Sequence, residues 1–358
     1  IFANIVFYRI AEHGTDRSAQ ILLLLIFSIL LEILYVKQII FKKEKIIFLF
    51  LLIFLSASLK PLYLLYFILI PIILFKINNI FFFFNKKNYK LSIFLFFFII
   101  NIFVINLFNT GCLLYPSSKT CISNLTWSVP KEEVKALKTH YEWWAKAGGG
   151  PNYKHKLNKD DYIKNFNWLP NWIDRHFFNK VSDTLLAILF ISLILLLYFK
   201  SHKKIKNKNK FKKTVYILSL FFLLEWFLNH PAMRYGGFVL FAIPIFLFFS
   251  EQISKYKISK KKLIKGTYYF VIITLIIFNV RNIHRINKEY HVYNYDLLKS
   301  PFYYVPNIET KIVATFNDFN IYSPKEGEMC WASKTPCSYA PNLNIKKYFN
   351  TYIIKRTK

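Results

Sequence analysis

An all-α polytopic membrane fold carrying a small extracytoplasmic tail is what this 358-residue chain predicts, on three observations. Hydrophobic residues make up 54% of it and gather in eight long runs. The short segments between alternate runs are packed with lysine, and the chain after residue 281 changes to β-branched and aromatic residues with two cysteines. Apolar content of this size, arranged in runs, excludes a single soluble domain.

The runs lie at 18–36, 46–59, 61–76, 91–108, 182–199, 214–229, 235–250 and 267–281. Lys42, Lys43 and Lys45 follow the first run; Lys76, Lys86, Lys87 and Lys90 follow the third; Lys200 to Lys213 and Lys255 to Lys265 follow the fifth and seventh. The positive-inside rule makes these segments cytoplasmic. Eight crossings then put residues 1–17, the loop 109–181 and the tail 282–358 on the outer side. The organisation expected is a transmembrane domain over 1–281, including that loop, and an extracytoplasmic region over 282–358.

The formal charge of +30 therefore follows from topology signalling and from a codon bias that also enriches Phe, Ile, Asn and Tyr. Nothing in the lysine runs resembles an aromatic platform for bases, so no nucleic-acid partner is expected. The run Lys203 to Lys213 fits anionic lipid headgroups, and membrane lipids are expected partners. No nucleotide-binding glycine loop, zinc signature or nucleophile elbow is present; no cofactor and no metal are expected.

Within the outer loop, Ser128 and Pro130 open a helix with Glu132 and Glu133 in its first turn, and Gly148 to Gly150 close it. Val134, Leu137, Tyr141 and Trp144 recur on one face, so the helix is expected to lie along the membrane surface or against the spans. Trp168 and Trp172 lead into the next run and read as an interfacial belt, with a sugar-stacking platform as the other reading. In the tail, Lys311 to Tyr322 suggests a short hairpin.

The four cysteines form two local pairs, Cys112 with Cys121 and Cys330 with Cys337, on the side where disulfides persist. Three connectivities are possible, and the short separations favour pairing within each segment. Zinc binding is the competing reading, but no His stands near either pair at ligand spacing.

Only seven of the 49 basic residues are arginine, and by this topology all seven lie outside. Where a bare charge suffices the chain uses Lys, so positions keeping the planar guanidinium fork are candidates for gripping phosphate or carboxylate. Three polar places meet the outer boundary. The first runs from Tyr8 to Ser18 and holds Arg9, His13, Asp16 and Arg17; an acid there also suits a helix N-terminus. The second is Lys60-Pro61 between two short runs, where the ammonium lies in a wet recess or snorkels to the headgroups. The third runs from Glu225 through His230, Pro231 and Arg234 to Gly236-Gly237, a tight turn whose glycines admit close backbone approach. Glu225 reads as a counter-ion for Arg234, and Glu32 has no assignable partner.

Several segments resemble a family of large bacterial inner-membrane proteins found with surface-polysaccharide genes and having a GT-C glycosyltransferase-like fold. They are Ala3-Asn4 through Arg9 to Ser18, Gly111-Cys-Leu-Leu-Tyr115-Pro116 with Trp127-Ser-Val-Pro130, Pro231-Ala-Met-Arg234-Tyr235, and Tyr322 to Trp331 with Pro336-Cys337. Lys60-Pro61 is also similar to the basic-Pro junction of many GT-C enzymes. The resemblance implies a multi-pass inner-membrane enzyme that moves a sugar from a polyprenyl-phosphate carrier to a glycan or lipid acceptor on the outer face. It implies a base Asp in the first outer loop, expected before Ile1 in a chain read as a fragment, with Asp16 the best acid remaining. Arg9, His13, Arg17, Lys60, His230 and Arg234 are the expected substrate-binding residues. A polysaccharide polymerase acting on lipid-linked repeat units is the alternative. A lipid-linked glycan flippase fits less well, because the chain lacks the internal symmetry of transporters.

Overall fold

The computed structural model describes residues 16–35, 43–76, 89–147, 157–201, 212–293, 308–316, 319–326, 330, 333–338, 343–348 and 351–356. The chain divides into two compact units, Ile1–Phe278 and Asn279–Lys358.

The first unit is helical. Its elements are α1 (Asp16–Tyr35), α2 (Lys43–Leu59), a 3-10 helix Pro61–Ile68 that continues as α3 (Leu69–Lys76), and α4 (Tyr89–Thr110). Then come α5 (Lys131–Lys146), α6 (Lys159–Ile163) and α7 (Leu169–Trp172), which passes through π-helical turns Ile173–Val181 into α8 (Ser182–Phe199). Further on are α9 (Lys212–Asn229), a single 3-10 turn Met233–Tyr235, α10 (Gly237–Ile253) and α11, which starts at Lys260 and ends at Tyr293.

Among the described residues, the eight apolar runs do not give eight long spanning helices: three helical stretches have the length and apolarity to cross a membrane, Ser92–Thr110, Leu169–Phe199 and Lys260–Val292. Lys45–Leu59, Leu62–Phe75 and Gly237–Ile253 are apolar but shorter. The reason the first two are short is one local break. Pro61 forces the residue before it out of the helical region, and Lys60 is extended at φ −149°, ψ 126°, ending α2 and redirecting the chain. Two others are unbroken helices that carry charge, with Asp16, Arg17 and Glu32 in α1 and Glu225 in α9.

The core forms where α1, α2, the Pro61–Ile68 segment, α9 and α10 meet. Leu23, Ile26, Phe27 and Leu30 of α1 pack against Leu49, Phe50 and Ile53 of α2, with Tyr63, Tyr66, Phe222, Trp226 and Leu240 completing the cluster. Three rings lock its centre: Tyr66 lies 4.3 Å from Phe222, and Phe27 stands edge-on to both. By contrast α4 and α8 display Phe96, Phe97, Phe108, Leu186 and Phe190 outward, each more than half exposed. Helices this apolar on their open faces are matched to lipid, not water.

The loop between α4 and α8 is tied at its start by the Cys112–Cys121 disulfide, S–S 2.06 Å. Pro130 occupies the cap position of α5, so Ser128 sits just ahead of the helix rather than capping it. The end of α5 is stitched to α6: Lys146 pairs with Glu142 at 2.6 Å and donates to the Ile163 carbonyl at 3.1 Å. Glu32 does have a partner, an ion pair with Lys45 across the α1–α2 joint.

In the second unit, β1 (Thr310–Phe316) and β2 (Phe319–Pro324) form an antiparallel hairpin with an irregularity between Ile312 and Ala314. The Cys330–Cys337 disulfide, S–S 2.09 Å, brings a short segment beside β2, where the Tyr322 amide donates to Pro336 O and the Ser338 amide to Tyr322 O. A second hairpin, β3 (Leu343–Tyr348) with β4 (Thr351–Arg356), goes beyond the expected one. Phe319 meets Tyr352 edge-on at 4.9 Å, joining the two hairpins.

Gly237 opens α10 against an indole. A Cβ there would lie 2.6 Å from Trp226 Cζ2 and 2.8 Å from Met233 Sδ. Overpacking of this kind costs about 1–3 kcal/mol. Gly237→Ala is therefore expected to lower the thermal unfolding midpoint of the detergent-solubilised protein by several degrees, and an unchanged midpoint would contradict this packing.

Candidate functional site

The turn between α9 and α10 is a buried stretch of backbone, and buried carbonyls must find donors. Four consecutive carbonyls here do so. Trp172 Nε1 donates to Pro231 O at 2.6 Å and Trp226 Nε1 to Ala232 O at 3.1 Å. Gln20 Nε2 reaches Arg234 O at 2.9 Å and Met233 O at 3.4 Å. On the other side of the chain, the Met233 amide donates to His176 Nε2 at 3.3 Å. Side chains from α1, α7, α9 and the π-helical turns thus fix one turn, and Gly236 at φ +126° completes its exit into α10.

That fixed backbone presents Arg234 to Asp16. Arg234 Nη2 and Nε lie 2.9 and 3.0 Å from Asp16 Oδ2, while the other carboxylate oxygen is ion-paired with Lys60. Two cations share one carboxylate, leaving the cluster one positive charge in excess. Lys60 Nζ also stands 4.5 Å from the centre of the Tyr235 ring and Arg234 Cζ 5.4 Å from it, the range of a cation–π contact. Asp16 and Lys60 are mostly buried, at 16% and 19% side-chain exposure, whereas Arg234 is 53% exposed and faces outward. Asp16 also sits in the first turn of α1, where the helix dipole favours a carboxylate.

Burial, reinforced by the Arg234 charge, brings the Lys60 ammonium down to about 8. Lys60 is consequently charged at neutral pH and loses its charge as the pH rises through 8. Burial likewise holds His230 down to about 4, so its imidazole is neutral at physiological pH. Glu142, Lys138 and Lys146 of α5 and Lys60 all act on His230 electrostatically, and α5 packs on α9.

Of the residues singled out in the sequence, the structure brings Asp16, Lys60 and Arg234 into direct contact and places His230 on the same turn. Arg17 follows Asp16 in the first turn of α1. Arg9 and His13 lie outside the described residues. Glu225 is not the counter-ion of Arg234: its carboxylate accepts from Asn229 Nδ2 at 3.0 Å, one turn along α9, and Asp16 takes that place. Gln20, His176 and Trp226 escaped sequence reading, although a glutamine inside an apolar run was a visible signal. Trp172 carried the signal of an interfacial belt and is instead a buried donor. Among the described residues no group of three metal-ligating side chains occurs.

Residues 1–241 match the model of a family described as a domain of unknown function, DUF8201, and the chain belongs to that family. The matched span contains Asp16, Lys60 and the whole 230–237 turn. No curated protein and no solved structure matches the chain.

Removing the shared carboxylate leaves two like charges over the same Tyr235 ring with no counter-charge between them. Asp16→Asn is expected to depress Lys60 further. A drop of about one pKa unit raises its neutral fraction at pH 7 roughly fivefold. Amine-selective acylation of Lys60 at that pH, read by peptide mapping, should accelerate accordingly; an unchanged rate would show that Asp16 does not hold the ammonium.

Proposed function

We propose that this chain is a membrane glycosyltransferase-like protein that holds the phosphate of a polyprenyl-phosphate-linked sugar. The sugar then passes to a glycan or lipid acceptor at the outer face of a bacterial inner membrane. The observation that carries this reading is the Lys60–Asp16–Arg234 cluster beside Tyr235, at the joints of apolar helices.

Three physical points support it. A cluster with one surplus positive charge attracts an anion, and the more exposed member is the one with a planar fork. The cluster lies at the ends of helices whose flanks are apolar and open, so an anion carried on a long hydrocarbon can reach it without leaving lipid. In transfer, a C–O bond forms between the acceptor oxygen and the sugar while the bond from sugar to carrier phosphate breaks, and the acceptor's hydroxyl proton passes to the departing phosphate. Charge then grows on the departing phosphate, and Arg234 and Lys60 stand ready to stabilise it.

On this reading Asp16 has a positioning role. Both its oxygens are engaged with cations, so it aligns them instead of facing an acceptor hydroxyl. The lysine asymmetry supports an outer location for this turn, because the lysine-rich segments lie at the opposite ends of the same helices.

Binding of polyprenyl phosphate to the full chain in nanodiscs tests the reading. Arg234→Lys keeps the charge but loses the fork, and loss of one charge-assisted hydrogen bond, about 1.5–3 kcal/mol, predicts a roughly 10- to 100-fold weaker affinity. Wild-type affinity should also fall as pH rises through 8, and Lys60→Met should abolish that dependence. Unchanged affinity in Arg234→Lys, together with a flat pH profile between 7.5 and 9.5, would reject the site.

A further inference from the structure

Three buried polar atoms without a hydrogen-bond partner among the described residues surround the same turn: Gln20 Oε1, Tyr63 Oη and His230 Nδ1. Gln20 is tied to Arg234 O by its other amide atom. Tyr63 Oη lies 3.5 Å from where a Cβ on Gly236 would be. A turn whose own carbonyls are all satisfied is thus ringed by side-chain groups that are not. Unpaired buried polar atoms are costly, and these three beside a cation pair call for a partner that the described residues do not supply.

Of the three, His230 is the one in line with the cations. Its ring meets Tyr235 edge-on at 6.4 Å, and Tyr235 is the ring over which Lys60 and Arg234 stand. Its backbone is fixed, with its amide donating to Trp226 O at 2.8 Å and its carbonyl accepting from the Ala232 amide at 2.7 Å. The point from which the imidazole projects is therefore set by the turn.

We infer that His230 recognises a hydroxyl of the sugar whose phosphate is held by Arg234 and Lys60, which divides the site into a cationic half for phosphate and a neutral half for the sugar. This rests on the reading of the cation cluster as a phosphate site. The chemistry favours a hydroxyl over a second anion. The imidazole is neutral, being held down by burial, and a neutral ring offers one donor and one acceptor, the pair a hydroxyl can meet from either side. The charged groups facing it are mixed in sign: Glu142, Lys138 and Lys146 from α5, with Lys60 and Arg234 across Tyr235. Glu142 is itself pinned by Lys146, so the ligand-facing group on this side is the uncharged ring.

The test uses the full chain in nanodiscs and two kinds of probe: inorganic phosphate, and hexose 1-phosphates of gluco, galacto and manno configuration. Calorimetry should show at least one sugar phosphate bound about 10-fold more tightly than phosphate by the wild type, the value of one well-made hydrogen bond. His230→Phe keeps the ring packed on Tyr235 and should erase that advantage while leaving phosphate affinity within about twofold. His230→Asn, whose amide places a polar atom where Nδ1 stood, should restore part of it. An advantage that persists in His230→Phe, the absence of any advantage in the wild type, or an equal loss of both affinities in both variants would overturn the inference. Failure of inorganic phosphate to bind the wild type would instead reject the phosphate site, and this inference with it.

Discussion

Hydrogen bonding of one buried turn is the constraint on which the rest of this structure depends. Between α9 and α10 the chain reverses inside an apolar bundle, where unmet carbonyls are far costlier than at a wet surface. Regular helix cannot supply the donors, because the reversal breaks the ladder. Two indoles and one primary amide supply them instead, and each comes with a large or well-packed body that also fills space. Packing and polar satisfaction are therefore met by the same side chains. Trp226 closes the core of α9 and α10 while capping Ala232 O, and Gly237 is small because that indole lies against it.

Fixing the turn fixes the charge. A mostly buried ammonium beside a half-exposed guanidinium is unfavourable unless a carboxylate lies within reach. Here the acid is at the start of α1, one cation at the joint of α2 with the Pro61–Ile68 segment, and the other on the turn. Gln20, one turn along α1 from Asp16, donates to the backbone of Arg234 itself. The spacing between acid and guanidinium is thus set by a neutral hydrogen bond next to it and does not rely on the ion pair alone. An anion could then draw on the cations without unfolding the joint that carries them.

Much of this was legible in the sequence, and for physical reasons. Apolar runs and lysine-rich connections announce a membrane bundle, since length and charge asymmetry are local properties. Asp16, Lys60 and Arg234 stood out because ionisable groups at span boundaries are expensive and rarely idle. What was not legible depends on distance along the chain. Gln20 and Trp172 reach the turn from 214 and 59 residues away, and nothing in a local pattern separates a buried indole donor from an interfacial one. Glu225 is close to Arg234 along the chain, but its place on α9 puts Asn229 within hydrogen-bonding reach one turn on. Counting runs gave eight spans where the described helices include three of spanning length and apolarity, because an apolar run does not report how many residues its helix keeps: the two that meet at Lys60-Pro61 are short.

The central claim is that the turn presents a site for a lipid-borne phosphate, and a map of the bound state addresses it most directly. Electron cryomicroscopy of the full chain in nanodiscs containing polyprenyl phosphate should show the phosphate within hydrogen-bonding distance of the Arg234 guanidinium and the Lys60 ammonium, with its hydrocarbon running along the apolar helix flanks. Phosphate density settled elsewhere on the protein, with the Lys60–Asp16–Arg234 cluster closed and unvisited, would contradict the account.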